Sequence, residues 1–94
     1  MSSSKRTTDH TRIRRWVEAR QGKPARVQAT GQRDDIGLLR IDFPEDHEDE
    51  EDDELEEITW DEFFEKFDEK RLAFVYQEKT ATGEQSRFNK FVSR

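Results

Sequence analysis

The chain contains no cysteine. Disulfides, thiolate zinc sites and a cysteine nucleophile are therefore excluded. Glycine occurs only four times, and neither the phosphate-loop nor the dinucleotide-binding glycine pattern is present. Histidine is limited to His10 and His47. Two isolated imidazoles do not make a zinc site, and neither has a serine placed to suggest a nucleophile relay. No catalytic set, no metal-ligand set and no cofactor motif emerges, so a non-enzymatic protein is expected. Apolar residues are only 30% of the chain, and no run approaches the length of a membrane span. Met1–Thr8 lacks the apolar stretch of a secretory signal. The expectation is a soluble cytoplasmic protein.

Charge is abundant, and it is segregated. Residues 1–33 carry nine Lys/Arg against two acids, residues 34–69 two against nineteen, and the overall net charge is −6. Eleven of the thirteen residues from Glu45 to Glu57 are acidic. Such a run repels itself and buries no apolar surface, so a solvated loop is expected over 44–57. Asp46–Glu50 lacks the glycine and the ligand spacing of an EF-hand. His47, inside this run, is expected to titrate above a free imidazole.

At 94 residues the chain is one domain. Residues 1–8 are small, polar and basic, and are expected to form a disordered tail; residues 9–94 read as a single α+β domain. Ile13, Trp16, Val17 and Arg20 fall at i, i+3, i+4, i+7, which predicts a helix over 9–21. Gly22 is placed to take the left-handed conformation after it, and Pro24 to stop it. Ala25–Ala29 and Gly37–Phe43 alternate in polarity around a turn at 30–35 and predict a hairpin. Thr59–Trp60–Asp61–Glu62 is a capping box, and Trp60, Phe63, Phe64 and Phe67 continue as a helical stripe, predicting a helix over 60–70 with its aromatics in the core. Leu72–Lys79 and Ser86–Ser93 predict a second hairpin, although Phe91 breaks the alternation set by Phe88 and Val92. Glu54–Glu57 could also form a short helical or 3₁₀ segment. The expected architecture is α+β: helix–hairpin–helix–hairpin, with a four-stranded antiparallel sheet and both helices on one face. The halves share a plan, but their residues do not align closely enough to read as a duplication.

Several strings carry a resemblance: Ile13–Arg20, Gly22–Val27, Leu39–Pro44, Ile58–Phe64 and Phe74–Arg94. Together they resemble a group of small bacterial proteins of unknown function, many labelled 1,4-alpha-glucan branching enzyme. The resemblance covers most of 9–94 outside the acidic run and implies a bacterial cytosolic protein. The label itself conflicts with size. A branching enzyme uses a (β/α)₈ barrel of about 250 residues and a pair of carboxylates on separate strand-end loops.

Two surfaces stand out as candidate sites. Arg12, Arg14, Arg15, Arg20, Lys23 and Arg26 form a candidate basic patch, suited either to nucleic-acid phosphates or to the chain's own acidic loop. Val75 and Phe91 form a candidate apolar patch for a partner, if one face of the last hairpin is uncovered. The leading functional expectation is a macromolecular interaction module whose partner is another protein. The alternatives are a nucleic-acid-associated protein using the arginine-rich helix, and an acidic nucleic-acid mimic acting through residues 45–57. Oligomeric state and strand order are not legible.

Overall fold

The computed structural model describes residues 4–27, 38–43 and 55–94. The predicted turn at 30–35, His47 and most of the acidic run, 44–54, lie outside the described residues. The element order is β1 (Ser4–Thr7), α1 (His10–Glu18), β2 (Lys23–Val27), β3 (Leu39–Asp42), β4 (Leu55–Glu57), α2 (Trp60–Glu69), β5 (Leu72–Gln77) and β6 (Asn89–Ser93).

Both helices form where their caps and apolar spacing direct. The Asp9 carboxylate accepts from the Arg12 N–H and starts α1, whose Ile13, Trp16 and Val17 are buried. In α2 the Thr59 hydroxyl accepts from the Glu62 N–H, and the Glu62 carboxylate accepts from the Thr59 N–H. These bonds satisfy amide groups that a helix start leaves without partners. The end of α1 differs from expectation. Gln21, not Gly22, takes the left-handed conformation, at φ 55°. The Gly22 N–H then closes the turn on the Val17 carbonyl at 2.9 Å. Gly22 is needed for closeness instead: a Cβ there would stand 2.9 Å from both Phe43 Cε1 and Val17 Cγ1.

The expected four-stranded sheet, and the helix–hairpin–helix–hairpin plan with it, is overturned. Two separate three-stranded antiparallel sheets are present, ordered β1–β5–β6 and β3–β2–β4. Two short strands account for the difference. Ser4–Thr7, expected within a disordered tail, pairs with β5, Thr7 opposite Phe74 and Ser4 opposite Gln77. Leu55–Glu57, expected as solvated loop or a helical turn, pairs with β2, Glu57 opposite Ala25 and Leu55 opposite Val27. Neither has a continuous apolar pattern; each forms because an edge of β5 or β2 offers backbone groups that need partners. Opposite charges add to the second pairing. Arg26 Nη2 lies 2.6 Å from Glu56 Oε2 directly across the ladder, and Lys23 Nζ lies 3.6 Å from Glu57 Oε1.

The fold is therefore strand–helix–strand–strand, twice, with the leading strand of each half added to the sheet of the other. The correspondence is close. The pair Lys23–Asp42 matches Ala73–Val92, and Pro24–Ile41 matches Phe74–Phe91, a displacement of 50 residues. The caps Asp9 and Thr59, the left-handed Gln21 and Arg71, and the exposed Leu38 and Phe88 obey the same displacement. The leading strands follow it to within one residue.

One core joins the two sheets. The Trp16 ring meets Phe43, at the end of β3, and Phe74 and Tyr76 of β5, with centroids 5.4 to 6.2 Å apart. Its indole N–H donates to the Gln77 carbonyl at 3.1 Å. From α2, Phe63 and Phe67 pack on Phe91 of β6. Among the described residues no helix is long and apolar enough to cross a membrane.

Candidate interaction surface

The basic patch dissolves into unlike parts. Arg20 is only 4% exposed. Its Nε donates to the Ser86 carbonyl at 2.5 Å, Nη1 to the Trp16 carbonyl at 2.9 Å and Nη2 to the Glu78 carbonyl at 3.0 Å. The guanidinium also lies over the Trp16 ring, 4.2 Å from its centroid. Burial pulls its pKa below the ordinary arginine value, opposed by the charge of Glu78. Arg20 is thus a strut between α1 and the segment joining β5 to β6. Lys23 and Arg26 are engaged with β4, and Arg14 pairs with Glu18 at 3.4 Å along α1. Arg12 and Arg15 remain. With Lys79 and the two acids Asp9 and Glu78 they border an open groove of about 560 Å³ that the buried Trp16 and Arg20 also line.

The apolar pair Val75 and Phe91 is not one patch. Phe91 stands opposite Phe74 in the β5–β6 ladder and so shares its inward face. Its ring lies 5.5 Å from Phe74 and 5.8 Å from Phe63. Val75 pairs with Lys90 and Arg6 on the opposite face. The side chain left exposed is Phe88, at 48%. Register decides this, because the alternation is set by the Phe74–Phe91 pair, and Phe88, whose carbonyl accepts from the Gln77 N–H at 3.3 Å, falls on the opposite face.

An aromatic seam lies where α1 and α2 run side by side, antiparallel. At one end His10 stacks on Phe64 with centroids 4.1 Å apart and planes 9° from parallel; at the other, Glu18 and Trp60 border a shared groove. The Trp60 ring continues the stack, 5.2 Å from Phe64 at 19°. Trp60, Phe64 and His10 are half-buried, where the helical stripe implied full burial of the aromatics. His10 Nε2 lies 2.9 Å from Asp68 Oδ2, and Arg94 Nη2 lies 2.5 Å from Asp68 Oδ1. Slight burial favours the protonated Asp68 carboxyl, but the His10 and Arg94 hydrogen bonds outweigh it and lower its pKa. The sequence held no signal for this pair, because its members are far apart in the chain and only the crossing of the helices unites them.

The seam divides two stripes of opposite sign. On α1 the exposed Arg14 and Arg15 face outward, with Glu18 beside Arg14; on α2 the exposed Asp61 and Glu65 do. The displacement of 50 residues sets Arg12 against Glu62 and Arg15 against Glu65, so the repeat conserves shape while these two positions invert in charge and Glu18 and Asp68 do not. Among the described residues no group of three or more His, Asp or Glu could hold a metal ion, and none of their hydroxyls is hydrogen-bonded to His10. Comparison with family models, with curated proteins and with solved structures yields no match.

Proposed function

We propose that the protein is a non-enzymatic macromolecular interaction module that binds through its helix pair, in the bacterial cytosolic setting its family resemblance implies. One observation carries the reading: the half-exposed stack of Trp60, Phe64 and His10 between a cationic and an anionic stripe. An aromatic centre with a charged rim is the anatomy of a protein-binding surface. A photo-crosslinking amino acid at position 64 should capture a partner in cells, whereas the same group at position 40, exposed on β3, should not. Equal capture at both positions overturns the reading.

A second reading is favoured by the groove of Arg12, Arg15 and Lys79, which suits a phosphate backbone. Mobility shifts with single-stranded and duplex nucleic acid at two salt concentrations test it. A shift at low salt that Arg12→Glu/Arg15→Glu abolishes supports it, and no shift at low salt removes it. The acidic-mimic reading loses two of its residues, since Glu56 and Glu57 are engaged by Arg26 and Lys23.

A further inference from the structure

We propose that the partner of the helix pair is a second copy of this chain, docked face to face with its α1 over α2 and its α2 over α1. The inference rests on the interaction-module reading above and names the occupant of that surface.

The argument is geometric. Two antiparallel helices lying side by side, related by an internal repeat, present stripes of matching shape. Here one stripe bears Arg14 and Arg15, which outnumber the Glu18 that pairs with Arg14, and the other bears Asp61 and Glu65. Turn a second copy over about an axis parallel to the helices, and its α1 comes to rest on the first copy's α2. Both stripes then meet their opposites at once. The seam of Trp60, Phe64 and His10 falls on the same seam of the partner, so the half-buried rings are covered where the two-fold axis passes. A closed two-fold contact of this kind uses one patch on both partners and leaves no free half to propagate. Like-charged stripes face each other if the copy is turned about the perpendicular in-plane axis instead, so the charges select one orientation.

Size sets the strength. Helices of nine and ten residues are about 15 Å long, and two side by side are about 20 Å wide. Such a patch lies at the small end of specific interfaces, which predicts a weak, salt-sensitive dimer in the micromolar range or above.

The test is sedimentation of the full chain at concentrations up to about 1 mM, at low and high salt, with the Trp60 indole resonance followed through a dilution series. Three samples are compared: the parent chain, Arg14→Glu/Arg15→Glu, and Asp61→Arg/Glu65→Arg. Circular dichroism verifies that each variant is folded. The parent should dimerise at low salt, each variant alone should associate about tenfold or more weakly, and an equimolar mixture of the two should recover a heterodimer. A parent chain that stays monomeric throughout, or a mixture no tighter than its components, overturns the proposal. If position 64 meanwhile crosslinks to a different protein, the interaction surface stands and only its occupant is wrong. If the parent dimerises with the Trp60 resonance unmoved and both charge variants unaffected, association runs through another face and both readings fall.

Discussion

Replacing Arg20 by methionine should cost this fold a large part of its stability. The side chain holds three backbone carbonyls from inside the protein. The Glu78 carbonyl has a second partner in the Ser86 N–H at 3.1 Å. Among the described residues Arg20 is the hydrogen-bond partner of the Trp16 and Ser86 carbonyls, so methionine keeps the stem's packing and orphans two acceptors. An unsatisfied buried carbonyl costs about 1–3 kcal/mol. Losing two, offset by no longer burying a guanidinium, gives about 2–5 kcal/mol. A chain of this length holds roughly 5–14 kcal/mol in all, and each kcal/mol moves the melting temperature by about 4–8 °C. Thermal denaturation followed by circular dichroism should show a fall of at least about 8 °C, and urea denaturation a matching loss. Arg14→Met, which removes an exposed pair with Glu18, should stay within about 0.5 kcal/mol of the parent. Arg20→Lys should rescue only in part, because an ammonium cannot span three carbonyls as a planar fork does. If Arg20→Met melts within about 2 °C of the parent, the arginine is not a strut and this reasoning fails.

Four further outcomes follow from the same structure. Gly22→Ala forces a methyl against Phe43 and Val17 and should destabilise by about 1–3 kcal/mol in urea melts; a neutral substitution would mean the close approach is not real. Deleting residues 1–7 removes β1 and strips the edge of β5, which should lower stability by about 1–3 kcal/mol; an unchanged midpoint would return these residues to the status of a tail. Asp68 has a folded pKa below its unfolded one, so its contribution is full above the unfolded pKa and lost as pH falls through the folded pKa. Asp68→Asn should therefore flatten the acid limb of the stability–pH curve, and an acid limb parallel to the parent's would contradict the assignment. Because the halves exchange strands, amides of Ala25 in β2 and Val75 in β5 should exchange hydrogen through one global opening of equal free energy. Protection differing by more than about 1 kcal/mol would show that the halves open separately.

The helices were legible because their determinants are local. Thr59 and Glu62 bond each other within one turn, and Ile13, Trp16 and Val17 share a face at helical spacing. The exchanged strands were not legible. Ser4–Thr7 and Leu55–Glu57 have no pattern of their own, and their pairing depends on edges distant in sequence. Arg20 was half legible: it occupies the last position of the apolar stripe of α1, a place where an arginine must find buried partners, yet composition grouped it with its exposed neighbours. Phe91 was misplaced for a related reason. Counting alternation from an inward Phe88 puts it outward, but the ladder takes its phase from Phe74 opposite Phe91, which leaves Phe88 as the outward residue.

The repeat escaped the sequence because structure and surface impose different demands at equivalent positions. Inside, Ile13 and Phe63, and Val17 and Phe67, are alike in class and all fully buried. At the helix ends, Gln21 and Arg71 share a backbone conformation and no chemistry. Outside, Arg15 corresponds to Glu65 and Arg12 to Glu62, while Glu18 corresponds to Asp68 and Arg40 to Lys90, so the exposed positions follow no common rule of charge. Trp16 corresponds to Lys66, an exchange of a buried aromatic for a buried cation, and Lys66 reaches Glu69 at 3.4 Å from a site only 6% exposed. A buried lysine thus stands where the other half has its central tryptophan, while α2 still reaches both sheets, touching β5 of one and β2 and β3 of the other. The two halves are thus matched in backbone and not in chemistry: α1 sets Trp16 against Phe43 and Phe74, α2 supplies most of the aromatic seam, and each lends the other a strand. Neither half has a complete sheet by itself, which makes the whole chain the folding unit.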